Sequence, residues 1–156
     1  MTPPLGDFFP PEEREGYCDG VIKAGAVFCM RVEHTTPPKL KRFIVIGFNE
    51  DRTLVGFLFI NSEINPRLFP SPHLKSLHLP LCAEDCSYVD HDSFLDCSRL
   101  YEMNFQTLKE KCVADIGIYL GEATATDFEK IINLTASATT IETKKKRKFN
   151  LLNPQS

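Results

Sequence analysis

No stretch of this 156-residue chain approaches the roughly 20 consecutive apolar residues that a membrane-spanning helix needs. The opening run Met1-Thr2-Pro3-Pro4-Leu5-Gly6-Asp7 lacks both a basic start and an apolar h-region, so it does not read as a signal peptide. Together these absences predict a cytoplasmic protein with no membrane partner. Also missing are a P-loop, a GxGxxG turn, an HExxH helix and a GxSxG nucleophile elbow. Their absence removes the common cofactor-dependent enzymes, and no cofactor is predicted. There is no internal repeat.

What is present suits one globular domain: 42% hydrophobic and 25% charged residues in a chain of this length. Six cysteines in a secreted chain would suggest a disulfide framework. Here Cys29 lies within Ala26-Val27-Phe28-Cys29-Met30 and Cys97 follows Phe94-Leu95-Asp96. Free cysteine packs as a small hydrophobe, so reduced core thiols are the favoured reading. Net charge is −3, but residues 144–148 (Lys, Lys, Lys, Arg, Lys) carry five positive charges, leaving −8 on the rest. An acidic body argues against indiscriminate binding of phosphate backbones.

Residues 1–23 form an expected irregular, Pro-rich arm, with Pro3, Pro4, Pro10 and Pro11 fixing φ and removing donors. Phe8, Phe9 and Tyr17 are its candidates for wrapping the body. Strands are predicted over 26–33, 42–48 and 53–60. The last two form a hairpin around Asn49-Glu50-Asp51-Arg52, with a bend at Gly56. Further strands are predicted over 74–81, 93–97 and 115–120, with a loop over 61–73 and a short helix over 105–112. The clearest helix begins at the capping box Thr126-Asp127-Phe128-Glu129 and places Phe128, Ile131, Ile132 and Thr135 on one face. Residues 138–156 turn polar and then basic and read as a flexible tail. The fold class is therefore α+β, mainly β: a small antiparallel barrel over 24–137 with one helix late in the chain.

Several residue groups carry chemistry. Cys82, Cys86, His91 and Cys97 supply zinc-type ligands, but their spacing fits none of the usual pairings. Loop thiols, a loop histidine and a core thiol are preferred, and no metal is assigned. In a strand from Ser93, Asp92 and Asp96 share a face and so form a candidate carboxylate pair. Lys39, Lys41 and Arg42 place three cations at the head of the second strand, where Arg is the better clamp on a charged transition state. Asn61 and Ser62 follow the third strand, a position that often hosts polar site residues. The 144–148 run is a candidate nucleic-acid contact, set against the simpler reading of a solvated charge cluster.

The strand Lys41-Arg42-Phe43-Ile44-Val45-Ile46, the ending Ile60-Asn61-Ser62, the stretch from His91 to Ser98, and Ile116-Gly117-Ile118-Tyr119-Leu120 before the late helix together resemble the PemK/MazF toxin family. The resemblance covers about residues 24–135 and lies in the order of the parts more than in motif identity. It implies an SH3-like barrel, a homodimer, an antitoxin partner and metal-independent endoribonuclease cleavage of single-stranded RNA by attack of the RNA's own 2′-OH. On that basis Arg42 would stabilise the phosphorane charge and Ser62 would hold a phosphate oxygen or the 2′-OH. Asp92, or Asp96, would orient the attack, and Lys39, Lys41, Asn61 and Ser93 would contact the RNA. Phe43 stands where the family usually has proline, and the acidic body departs from an RNA-binding surface. The alternative is a non-catalytic barrel acting as a protein-interaction module.

Overall fold

Two apolar runs, 43–46 and 54–60, set the centre of the molecule, and each alternates between two buried faces. The computed structural model, which describes residues 10–32 and 39–152, shows strands β1 (Ala26–Val32), β2 (Lys39–Phe48), β3 (Leu54–Asn61), β4 (His78–Leu81), β5 (Ser93–Asp96), β6 (Tyr101–Asn104) and β7 (Tyr119–Glu122). They form one antiparallel sheet in the order β4-β5-β3-β2-β1-β7, curled into a half-barrel. Strand β3 pairs with β2 on one side, and on the other with both β5 (through Ile60 and Asn61) and β6 (through residues 54–57). The sheet therefore forks at β3. Helices are α1 (Pro11–Val21), α2 (Pro72–Ser76), α3 (Phe105–Ala114), α4 (Ala125–Ser137) and α5 (Thr143–Lys148). Among the described residues no helix is long and apolar enough to cross a membrane.

One face of the sheet is aromatic. Phe28, Phe43, Val45, Val55, Phe57 and Phe59 pack with Cys18 and Ile22 of the α1 region and with Leu108 and Cys112 of α3. The other face is aliphatic. Val27, Ile44, Ile46, Leu58, Ile60 and Leu95 pack under Ile131 of α4, under Tyr88 and Val89, and under Ala138, Ile141, Phe149 and Leu151. A register shift between Val45 and Gly47 sets Gly47 opposite Gly56. The expected irregularity at Gly56 thus lies on the partner strand. A Cβ at Gly56 would sit 2.8 Å from the Phe149 ring, and one at Gly47 would sit 2.8 Å from the Phe149 carbonyl oxygen. The two glycines make a notch that Phe149 fills, and burying such a ring contributes about 1.5–3 kcal/mol.

Several expectations are corrected. Residues 11–21 are helical, not irregular, because Pro10 and Pro11 stand at the N-cap and first helical position, where a missing N–H costs nothing. Glu12 and Glu13 in the first turn also suit the helix dipole. Tyr17 meets Tyr119 edge-on at 6.4 Å, whereas Phe8 and Phe9 lie outside the described residues. The expected strand over 74–81 begins as α2, capped by Ser71 Oγ, which accepts from Leu74 N, and only 78–81 is strand. The strand expected over 115–120 is a 3-10 turn (Ile116–Ile118) followed by β7. Residues 138–151 are not a tail: Ala138, Ile141, Phe149 and Leu151 are core, and α5 carries the basic run. The packed unit therefore extends beyond both ends of 24–137. All six cysteines are free; Cys18, Cys86, Cys97 and Cys112 are buried, Cys29 is half-buried and Cys82 is exposed.

Candidate active site

Register brings most of the sequence-derived candidates to one end of the sheet. Arg42 pairs with Ile60, Ile60 with Leu95 and Asn61 with Phe94. Strand β2 starts where β3 ends and β5 begins, so Lys39, Lys41, Arg42, Asn61, Ser62 and Ser93 gather there. Strand alternation then divides them between the two faces. Lys41 lies on the aromatic face, where its Nζ donates to Asn61 Oδ1 and sits 5.3 Å from the Phe59 ring centroid. Burial, and then repulsion from Lys39, hold the Lys41 ammonium below its usual range, against a smaller opposing pull from Asp96.

Arg42 lies on the opposite face. Its Nη1 and Nη2 donate to the two oxygens of Asp90 at 3.2 and 3.4 Å, a forked pair. Its buried Nε has no partner among the described residues. Asp90 Oδ1 also accepts from His91 Nδ1 at 2.6 Å. Arg42 first, and His91 second, hold the Asp90 carboxyl below the usual range, so it stays ionised between them. With Nδ1–H fixed on Asp90, the neutral ring leaves Nε2 as an acceptor, and the His91 side chain is 59% exposed. The result is a guanidinium, a carboxylate and an outward imidazole nitrogen in a row.

The candidate carboxylate pair separates. Asp92 Oδ1 accepts from Ala83 N at 2.9 Å, tying down the loop before β5. Ser93 Oγ donates to the His91 carbonyl at 2.9 Å. Both residues thus hold His91 in place. Asp96 is buried rather than exposed, because β5 lies between β4 and β3 and its cross-strand partner on β4 is His78. Its carboxylate accepts from Ser98 N at 2.9 Å and from Ser98 Oγ, and lies 3.6 Å from His78 Nε2. His78 Nδ1 donates to the Leu74 carbonyl, and Phe69 meets the ring edge-on at 4.2 Å. Ser62 is exposed and makes no hydrogen bond with the described residues.

No family model matches the chain, and no curated protein matches it.

Sequence reasoning missed Asp90 and its bridge from Arg42 to His91. The signal available was Asp90-His91-Asp92 directly ahead of a strand. Its relation to Arg42 depends on β5 pairing with β3, a contact remote in sequence. Among the described residues no three His, Cys, Asp or Glu side chains converge as metal ligands. Cys86 and Cys97 are in the core, while Cys82 and His91 are exposed. The array can hold an anionic oxygen at Arg42 and exchange a proton at His91 Nε2.

Proposed function

We propose that the chain is a cytoplasmic PemK/MazF-like endoribonuclease on an SH3-like barrel with a C-terminal helix, acting on single-stranded RNA as a homodimer restrained by an antitoxin protein. The observation that carries this reading is the Arg42–Asp90–His91 row beside the end of β3, where Asn61 and Ser62 emerge. His91 Nε2 takes the proton of the RNA 2′-OH, O2′ bonds to phosphorus, and the bond from phosphorus to O5′ breaks. The leaving oxygen takes a proton from solvent. The products are a 2′,3′-cyclic phosphate and a 5′-hydroxyl. Arg42 stabilises the added negative charge on the phosphoryl oxygens, Asp90 fixes the His91 tautomer, and Ser62 holds a phosphate oxygen. Asp92 and Ser93 become positioning residues for His91. Lys39, Lys41 and Asn61 contact the backbone on either side.

A single-turnover assay on a mixed RNA pool tests this. The wild-type protein should cleave equally with and without chelator. Arg42→Ala and His91→Ala should each lower the rate by roughly 10²–10³. Growth arrest on expression should disappear with Arg42→Ala. An intact RNA pool and harmless expression would remove the enzymatic reading. The forked Arg42–Asp90 pair, which already neutralises the guanidinium, favours a second reading in that event: a non-catalytic module binding a protein partner through the same sheet end.

A further inference from the structure

The basic run at 144–148 is fixed to the body rather than trailing from it. Ile141 is buried ahead of α5, and Phe149 and Leu151 are buried after it. The Phe149 ring occupies the Gly47/Gly56 notch. The Leu151 N–H donates to the Lys146 carbonyl at 2.8 Å, which closes the helix back on itself. A run that served only for solubility would need no such anchor.

The anchor sorts the five cations. Lys146 is buried, and Lys148 is held by Glu102 at 2.8 Å. Lys144 and Arg147 are exposed and Lys145 is half-buried, and none of the three has an ion pair among the described residues. The carboxylates nearby are Glu142 at the N-cap, Glu102 on Lys148, and Glu50 and Asp51. The last two line, with Asn49, Arg147 and Lys148, an open groove of about 590 Å³. They leave the Lys144 and Lys145 side of the helix uncompensated. On a body that is −8 without this run, the helix is a concentrated positive pole.

We propose that α5 is a second docking surface, which takes the phosphodiester backbone of a single-stranded nucleic acid. This rests on the RNA-cleaving reading, because it gives one strand two points of attachment. The Phe149 anchor meets β2 at Gly47, five residues along from Arg42, which is roughly 17 Å of strand. A strand several nucleotides long spans that distance, whereas a di- or trinucleotide engages Arg42 and His91 alone. Phosphate contacts of this kind add affinity without sequence choice, and each releases bound counterions.

The test is fluorescence anisotropy with a labelled 20-nucleotide RNA over a range of salt, using the intact protein. The triple variant Lys144→Gln/Lys145→Gln/Arg147→Gln leaves Lys146 and Lys148 in place. Its slope of log affinity against log salt should fall by about 2, at roughly 0.7 per lost phosphate contact on a single strand. A control triple, Lys75→Gln/Lys111→Gln/Lys130→Gln, removes the same charge elsewhere and should leave the slope within a few tenths of wild type. Single-stranded DNA of the same length should follow RNA if the backbone is what binds; a loss confined to RNA would move recognition to the 2′-OH and overturn the proposal as stated. Circular dichroism checks that both triples are folded. Equal slope changes in the two triples, or no binding of the 20-mer by wild type, would overturn it. The enzymatic reading fails separately. Binding that depends on α5 with no cleavage sinks the nuclease alone, and cleavage with an unchanged slope in the α5 triple sinks this surface alone.

Discussion

The two faces of the sheet are filled by opposite means. On the α1/α3 face the strands supply the bulk themselves: Phe43 meets Phe57 at 4.8 Å and Phe57 meets Phe59 at 5.3 Å between ring centroids. On the α4 face the strands supply a gap at Gly47 and Gly56, and a ring from residue 149 fills it. The first arrangement is local to the hairpin and its neighbours. The second couples the end of the described chain to its centre, so it makes a terminal segment part of the core.

The largest expected effect is at that coupling. Phe149→Ala should cost about 3–5 kcal/mol in urea unfolding, as for a ring removed from any tight core. Phe43→Ala should cost a similar amount on the other face. The comparison breaks if Phe149→Ala costs under about 1 kcal/mol, since residues 149–151 would then contribute little. A finer test uses Gly56→Ala. The added methyl meets the Phe149 ring at 2.8 Å and should cost about 1–3 kcal/mol through overpacking. In the Phe149→Ala background that cost should fall by about 1 kcal/mol or more, because the clash has gone. In the Phe43→Ala background it should be unchanged.

The faces also bury thiols differently. On the aromatic face Cys18 and Cys112 hydrogen-bond to each other across α1 and α3, and burial is the main cause pushing both upward. On the other face Cys97 stands by Thr135 of α4, and burial pushes its thiol up to about 12, from 9.0 in the absence of structure. A folded value above the unfolded one means that the unfolded chain releases its proton first. The stabilising contribution is complete below about pH 9 and is lost as pH rises from there towards about 12. Urea stability should thus fall by about 1 kcal/mol per pH unit in that window from Cys97 alone. Cys97→Ala should flatten the fall by that amount. An identical slope in the variant would show that the alkaline limb comes from elsewhere.

The central hairpin was legible because its apolar residues recur in a strand of ordinary length around a polar turn. Helix α3 was legible too, and its N-cap is Asn104, whose Oδ1 accepts from Gln106 N and Thr107 N. Helix α1 was hidden by its prolines, which exclude a helix interior but not a helix start. Helix α5 was hidden because its run of like charges reads as solvated unless the burial of Ile141, Phe149 and Leu151 is known. At the site, the nearness of Lys41, Arg42, Asn61 and Ser62 followed from the hairpin alone. The Asp90–His91 pair did not, since it reaches Arg42 only through the β3–β5 pairing.

The smallest effect concerns how α4 starts, where two overlapping signals compete. The sequence offers Thr126 with Glu129, and also Thr124 with Asp127. The helix takes the earlier one: Thr124 is the N-cap, and its Oγ1 accepts from Asp127 N at 3.2 Å. The chain leaving β7 explains the choice. Ala123 N donates to the Gly25 carbonyl at 2.9 Å, which fixes the turn one residue before Thr124, and Phe128 then packs at 3.7 Å over the position a Gly25 Cβ would take. Starting two residues later would carry Phe128 out of the first turn and away from that contact. Thr124→Ala should therefore cost about 1 kcal/mol, and Thr126→Ala only a few tenths, by the same urea measurement. Equal costs would mean that the helix end alternates between the two caps, and that the β7 exit does not choose between them.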